Sequence, residues 1–321
     1  MDSSPDAEND DIPASLFGPQ ISLAIHNADT MSEMLIDPSQ SDLTDRIRKS
    51  IVEGDVHDLK IILSSNPHLQ PLDKSQVHQL LTAAETGQIE CLKLLLDAKA
   101  RVSEKDARGR SALHVATSHD HVEAMRPLAV AAVAGRAEAV HILIEAKATI
   151  NTRDMNGKTP LMLAAERGQS GVIPRLIEAN ASLGESDNSG YNALIFAAQL
   201  GHTAVANILL NVNADVDPRD PNGHTPLMYA AHQGHVETMQ VLLDAKAHVE
   251  AQDDSQSDAL HHAAAAGQRE TMELLLHAKA DMNSRDDFAW TSLHKAAYGD
   301  FAHVVEILID AKGALDEQDC V

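Results

Sequence analysis

Seven glycines keep two registers of 33 residues, Gly54 and Gly87 first, then Gly135, Gly168, Gly201, Gly234 and Gly267. The same phrase surrounds them. Residues 154–168 read Asp-Met-Asn-Gly-Lys-Thr-Pro-Leu-Met-Leu-Ala-Ala-Glu-Arg-Gly, and residues 220–234 read Asp-Pro-Asn-Gly-His-Thr-Pro-Leu-Met-Tyr-Ala-Ala-His-Gln-Gly. A unit this short cannot bury its own apolar face, so copies must stack and share a core between neighbours. An aspartate ladder, Asp106, Asp154, Asp187, Asp220, Asp253, Asp286 and Asp319, runs in step with the glycines.

The phrase resembles the ankyrin repeat, marked by Asp-x-x-Gly-x-Thr-Pro-Leu-His-x-Ala-Ala-x-x-Gly-His and a following Leu-Leu pair. Thr159-Pro160-Leu161 and Thr225-Pro226-Leu227 carry the central element whole, and Ser111-Ala112-Leu113-His114 and Thr291-Ser292-Leu293-His294 carry it relaxed. The resemblance implies an all-α fold: an ankyrin-repeat solenoid of stacked helix-turn-helix units joined by β-hairpin loops. Thr or Ser caps the first helix, and Pro fits its first position because the missing donor would be orphaned there anyway. Paired alanines such as Ala164-Ala165 and Ala263-Ala264 let adjacent helices approach closely. Second helices carry apolar runs such as Leu94-Leu95-Leu96 and Leu274-Leu275-Leu276 for the core.

Three segments are expected along the chain. Residues 1–41 hold no Lys or Arg and show no apolar period, which predicts a disordered acidic tail. Within it, Leu16 to Leu23 and Met31 to Ile36 are apolar enough for a short binding motif. Residues 42–74, with Arg46, Arg48 and Lys49 on their first helix, read as an N-terminal capping repeat, since a terminal unit needs a polar outer face. Residues 75–321 form the array, with a shortened repeat near 106–134. There Asp120-His121 replaces the expected Gly-His, and Arg126-Pro127-Leu128 restarts the motif. Loss of a second helix and hairpin predicts a weak joint at 119–128. Pro174 falls inside a second helix and should kink it or cost about 3 kcal/mol. Where the family ends its second helix on a left-handed Gly, this chain has Lys99, Lys147, Asn180, Asn213, Lys246, Lys279 and Lys312.

Composition narrows the function classes. A net charge of −23 makes nucleic acid and anionic membranes poor partners and a basic protein surface a better one. No apolar run approaches membrane-spanning length, and the acidic start lacks a basic signal-peptide region, so the reading is a cytoplasmic or nuclear monomer without direct membrane insertion. Two cysteines, Cys91 and Cys320, offer no disulfide framework, and Cys91 reads as a small core residue. No phosphate loop, dinucleotide fingerprint or His-Glu-x-x-His motif is present. Asp154-Met155-Asn156-Gly157 only faintly echoes a calcium loop. There are eighteen histidines, densest at His119-Asp120-His121 and His261-His262; His114, His261 and His294 occupy the Leu-His position of the repeat, and His121, His202 and His235 that of Gly-His. No enzyme, cofactor or metal is expected.

What the resemblance implies is a non-catalytic scaffold or adaptor that binds a protein through its hairpin tips and the concave face of its first helices. Carried over by position, the tips offer Arg108, Arg110, Met155, Lys158, Tyr191, His224, Phe288 and Trp290. The inner helices offer Glu166, Arg167, Leu200, His232, Gln233 and Tyr298. Trp290 fits either an interface anchor or a ring folded back over the last repeat. Phe196 and Tyr229 read as core packing. Two alternatives stand beside the scaffold: a regulatory or targeting subunit of an enzyme complex, or a fragment of a larger kinase, channel or acyltransferase with ankyrin repeats. Asp319-Cys320-Val321 also fits a weak carboxyl-terminal motif captured by strand addition.

Overall fold

The structure, a computed structural model, describes residues 38–66, 77–117 and 137–318. The expected tail up to residue 37 with its apolar segments, the expected joint at 119–128, and the final three residues lie outside these. The chain divides into a unit over 1–49 and a unit over 50–321. The helices are α1 (Pro38–Glu53), α2 (Val56–Ser65), α3 (Val77–Thr86), α4 (Ile89–Asp97), α5 (Ala112–Thr117), α6 (137–145), α7 (Pro160–Glu166) and α8 (Ile173–Glu178). They continue with α9 (Ala193–Gln199), α10 (Thr203–Asn211), α11 (Pro226–Gln233), α12 (Val236–Asp244), α13 (Ala259–Ala265), α14 (Arg269–His277), α15 (Ser292–Tyr298) and α16 (Ala302–Gln318). Among the described residues there is no strand, only an isolated antiparallel bridge from Lys105 to Ser111.

Odd-numbered helices from α3 to α15 form an inner row in which each packs on the next, and α8, α10, α12, α14 and α16 form an outer row in the same way. The alanine pairs make the inner row possible: Ala83, Ala84, Ala164, Ala165, Ala197, Ala198, Ala230, Ala231, Ala263 and Ala264 are all fully buried. In the outer helices only the central leucine of each run is fully covered, as with Leu95 and Leu275, while its flanks are half-buried. Thr159 and Thr225 accept from the amides of Met162 and Met228 and start α7 and α11, with proline at the first position of each. Cys91 is buried, and burial raises its thiol pKa.

The turn glycine and the following histidine work as one inter-repeat joint. Gly168 has φ +65°, and a Cβ there would meet the His202 ring at 2.8 Å; Gly201, at φ +69°, would meet His235 at 2.6 Å. The imidazole of each repeat thus lies over the glycine of the one before and donates from Nε2 to a carbonyl, His202 to Glu166 O at 3.0 Å and His235 to Gln199 O at 3.1 Å.

The structure corrects three expectations. Ladder aspartates Asp106 and Asp154 are 48 residues apart where every other step is 33, yet their repeats are direct neighbours. Inner helix α5 packs on α7, Met155 N donates to Arg108 O at 3.0 Å, Lys105 Nζ reaches Arg153 O, and His114 Nε2 reaches Lys158 O. The repeat opening at Asp106 is therefore long, not shortened: it has both helices, α5 and α6, and the surplus residues fall between them. A longer connection costs entropy that grows only slowly with its length, which is compatible with α5 packing on α7 as neighbouring inner helices do elsewhere. Pro174 does not kink its helix either. The first turn is given up, α8 begins at Ile173, and proline sits where its missing donor has no partner to lose. The left-handed ends are found at Lys99, Lys147, Asn180, Asn213, Lys246 and Lys279 (φ 61–70°). At Lys312 α16 instead runs on to Gln318, through residues such as Ala314, Leu315 and Glu317 that favour helix.

Two equivalent histidines are shifted in opposite directions. His114 Nδ1 lies 2.8 Å from Ser111 Oγ, and burial pushes its pKa below the ordinary 6.5. His261 donates to Trp290 O at 3.0 Å and holds its Nδ1 2.8 Å from Asp258 Oδ1. Burial works against its charged form, but the Asp258 hydrogen bond and charge outweigh that and raise the pKa. Hydrogen bonds from His261 and Ser284 likewise overcome burial at Asp258 and lower its pKa. The signs separate. Stability from the His261 shift is present below about pH 6.5 and lost as pH rises through the folded value, while that from Asp258 is present above about pH 3.9 and lost in acid. Stability from the His114 shift is present above about pH 6.5 and lost as pH falls through its folded value. In an NMR titration the His114 midpoint should lie below 6.5 and the His261 midpoint above it, with Asp258→Asn bringing the latter down; two coincident midpoints would contradict this.

Candidate partner-binding face

Every tip is built on the ladder carboxylate. Oδ1 accepts the amides two and four residues on: Arg108 and Arg110 at Asp106, Asn156 and Lys158 at Asp154, Ser189 and Tyr191 at Asp187, Asn222 and His224 at Asp220, Ser255 and Ser257 at Asp253, Phe288 and Trp290 at Asp286, all at 2.8–2.9 Å. The residue between takes positive φ, usually as glycine, though Gln256 and Ala289 manage it at φ 57° and 58°. Successive tips join by one backbone bond, Asn188 to Asn156 O and Asp254 to Asn222 O at 2.9 Å, Asp287 to Ser255 O at 3.0 Å. Pro221 occupies that donor position in its tip and has no N–H to give.

Oδ2 faces the inner helix, where the residue nine beyond the aspartate meets it. Tyr229 donates to Asp220 at 2.7 Å, His262 Nε2 is 2.8 Å from Asp253, and Lys295 Nζ is 2.6 Å from Asp286. The residue four beyond the aspartate lies over that ninth residue of the following repeat. Lys158 Nζ sits 4.5 Å above the Phe196 ring, Tyr191 packs edge-on against Tyr229 at 5.5 Å, and His224 against His262 at 5.2 Å. One line of contacts thus crosses four repeats, extended at one end by the Lys158–Glu166 ion pair at 2.8 Å and at the other by His232 on His262 at 6.3 Å. Because the Asp220 carboxylate can only accept, Tyr229 donates to it, and the Tyr191 hydroxyl, 2.8 Å away, donates to Tyr229. Burial raises Asp220, but the bonds from Tyr229 and His224 more than reverse it and hold the carboxyl below its ordinary range. Burial and the hydrogen bonds with Tyr191 and Asp220 raise the Tyr229 hydroxyl.

Two grooves flank this line. One, of about 310 Å³, is lined by residues that include Asn156, Lys158, Tyr191 and Phe196. The other, of about 350 Å³, is lined by residues that include His224, Tyr229, His232, Gln233 and His262.

Of the positions expected to bind, Lys158, Glu166, Tyr191, His224, His232 and Gln233 fall on this line or its grooves. Met155, Phe288 and Tyr298 are strongly exposed, at 68%, 75% and 82%, and Leu200 is exposed at 44%. Arg108 is exposed on the tip before Met155, whereas Arg110 is tied to Asp106 Oδ2 by an ion pair at 2.8 Å. Arg167 is half-buried where α7 ends. Trp290 is half-buried against Tyr298 at 5.3 Å, with Lys295 at 5.6 Å. Phe196 is buried as expected, but Tyr229 is a polar, half-buried member of the line and not core. Sequence reasoning missed Tyr229, His262 and the outward oxygens of Asp220 and Asp253. A spacing of 38 residues between tip and inner-helix side chains was the readable signal.

Tyr229→Phe removes the one hydroxyl on Asp220 without changing shape, and should lower unfolding stability by about 1 kcal/mol in chemical denaturation. Asp220→Ala, which also orphans two tip amides, should cost more; equal losses would deny the carboxylate its role in the tip.

A protein-family model described as ankyrin repeats in three copies matches residues 50–130, 128–220, 209–286 and 260–320. A stretch of 98 residues is 32% identical to the Mus musculus protein Ankyrin repeat and SOCS box protein 2, covering 30% of this chain and 16% of the length of that one. No helix among the described residues is long and apolar enough to cross a membrane. Repeated tips, stacked helix pairs and the family match agree, and the chain belongs to the ankyrin repeat family.

Proposed function

We propose that this protein is a non-catalytic scaffold or adaptor that holds a protein partner along the line from Lys158 to His262 and on the exposed rings of its last repeat. One observation carries the reading: on tips whose carboxylate-to-amide geometry is the same from Asp154 to Asp286, the fourth and ninth positions change from Lys and Leu to Tyr and Phe, His and Tyr, Ser and His, and Trp and Lys. Such a surface varies chemically while its geometry stays fixed, which is what selective recognition requires. Phe288 and Tyr298, largely exposed beside half-buried Trp290, supply aromatic area of the kind that dominates interface energies. A net charge of −23 favours a partner with a basic surface. A second reading, an array that presents a partner to another chain as a targeting subunit, draws support from the mouse relative, whose name joins ankyrin repeats to a further element.

Phe288→Ala with Tyr298→Ala should weaken binding of a partner captured by the intact chain by at least tenfold, about 1.4 kcal/mol. The melting temperature should hold, since both rings are exposed. Unchanged affinity with a lowered melting temperature would move the contact elsewhere.

A further inference from the structure

The line of contacts contains one cluster whose chemistry is not that of a protein contact. His224 Nε2 lies 3.4 Å from Asp253 Oδ2, and His262 Nε2 lies 2.8 Å from the same oxygen. The three ligand atoms all fall within 4.8 Å of one another. Asp253 and His224 are each held from behind. Asp253 Oδ1 is occupied by the amides of Ser255 and Ser257 and by Ser255 Oγ, which leaves Oδ2 aimed outward. His224 turns Nδ1 to Asp220 Oδ2 at 3.1 Å, and that oxygen also takes the Tyr229 hydroxyl. A neutral His224 that donates from Nδ1 therefore points its Nε2 lone pair at a carboxylate oxygen. Two acceptors then face each other with nothing between them, in a site where the Asp253 side chain is 3% exposed.

We infer that His224, His262 and Asp253 bind one divalent transition cation of the zinc class, bridging the repeats that open at Asp220 and Asp253. A cation satisfies both facing acceptors at once. Metal bonds of about 2.0–2.2 Å to imidazole and carboxylate place ligand atoms about 3.3–3.6 Å apart, so His262 draws back from Asp253 while the two imidazole nitrogens, within 4.8 Å of each other, close on the ion by side-chain rotation. Two nitrogens and one carboxylate oxygen suit zinc and its neighbours better than calcium or magnesium, which take oxygen shells. Asp220 behind His224 is the carboxylate that fixes tautomer and ring orientation in such sites, a positioning residue and not a ligand. The groove of about 350 Å³ beside His224 and His262 gives the ion its path and leaves a coordination position for water.

The inference does not rest on the identity of any protein partner, and its test uses the metal alone. Chelator-treated full chain is titrated with Zn²⁺ by calorimetry and with Co²⁺ by visible absorption, and melting is followed with and without Zn²⁺. One saturable ion per chain, visible bands of low-coordinate Co²⁺ and a raised melting temperature are expected. His224→Ala and His262→Ala should each weaken the dissociation constant at least tenfold, Asp220→Asn should weaken it less, and His277→Ala, on exposed outer-helix surface, should leave it unchanged. Should His262→Ala fail to fold, His224→Ala and Asp253→Asn decide the matter, because His224 is a tip side chain and Asn keeps an acceptor for the turn amides. Absence of saturable binding, or binding untouched by the His224 and Asp253 variants, overturns the site.

Discussion

The carboxylate of the ladder aspartate is the interaction on which the molecule depends. One oxygen gathers two backbone amides and so closes each tip, which sets where the next inner helix begins. A charged acceptor with two amide donors is among the stronger hydrogen-bonding arrangements available to a chain, and it uses no apolar surface. Freed of that duty, the second oxygen is offered to whatever side chain stands nine residues on. Fold and surface are thereby separated onto two atoms of one residue: the inward oxygen is bound to the backbone from Asp106 to Asp286, and the outward one meets an arginine at Asp106, a tyrosine at Asp220, a histidine at Asp253 and a lysine at Asp286.

That separation explains how much the sequence disclosed. Asp, Thr-Pro, Ala-Ala and Gly-His are local requirements of a turn, a cap, a close helix approach and a joint, so their period alone gives stacked helix pairs. Even the departures were legible where one residue decides the backbone: Lys99 and Asn180 do take the left-handed position usually given to glycine. The partner line was only half legible. Lys158, Tyr191 and His224 stand out on turns that need no large side chain, but their meeting with Phe196, Tyr229 and His262 depends on the offset between adjacent repeats, a property of the stack.

The misreadings share a cause. Gly135 follows Gly87 by 48 residues, and a restart of the motif at Pro127 suggested a lost segment. Counting between aspartates instead gives a surplus, because the ladder tracks the tips that actually bond. Pro174 stands inside the expected second helix, whereas the observed helix begins at Ile173 and takes the proline into its first turn. Both errors came from assuming that every repeat must copy its neighbours in length. Interfaces are what the architecture holds constant.

The long repeat carries that point further. Asp106 and Asp154 belong to tips bonded to one another, and α5 lies against α7, so everything joining the two sides of this junction acts through space. The bonds that tie this junction, Met155 to Arg108, Lys105 to Arg153 and His114 to Lys158, all join residues before Thr117 to residues after 137. In such a molecule the order of the units in space and the continuity of the polymer are independent facts. A chain severed in that interval would carry one partner of each of these bonds in each of its two parts, so the pieces would still hold matching tips.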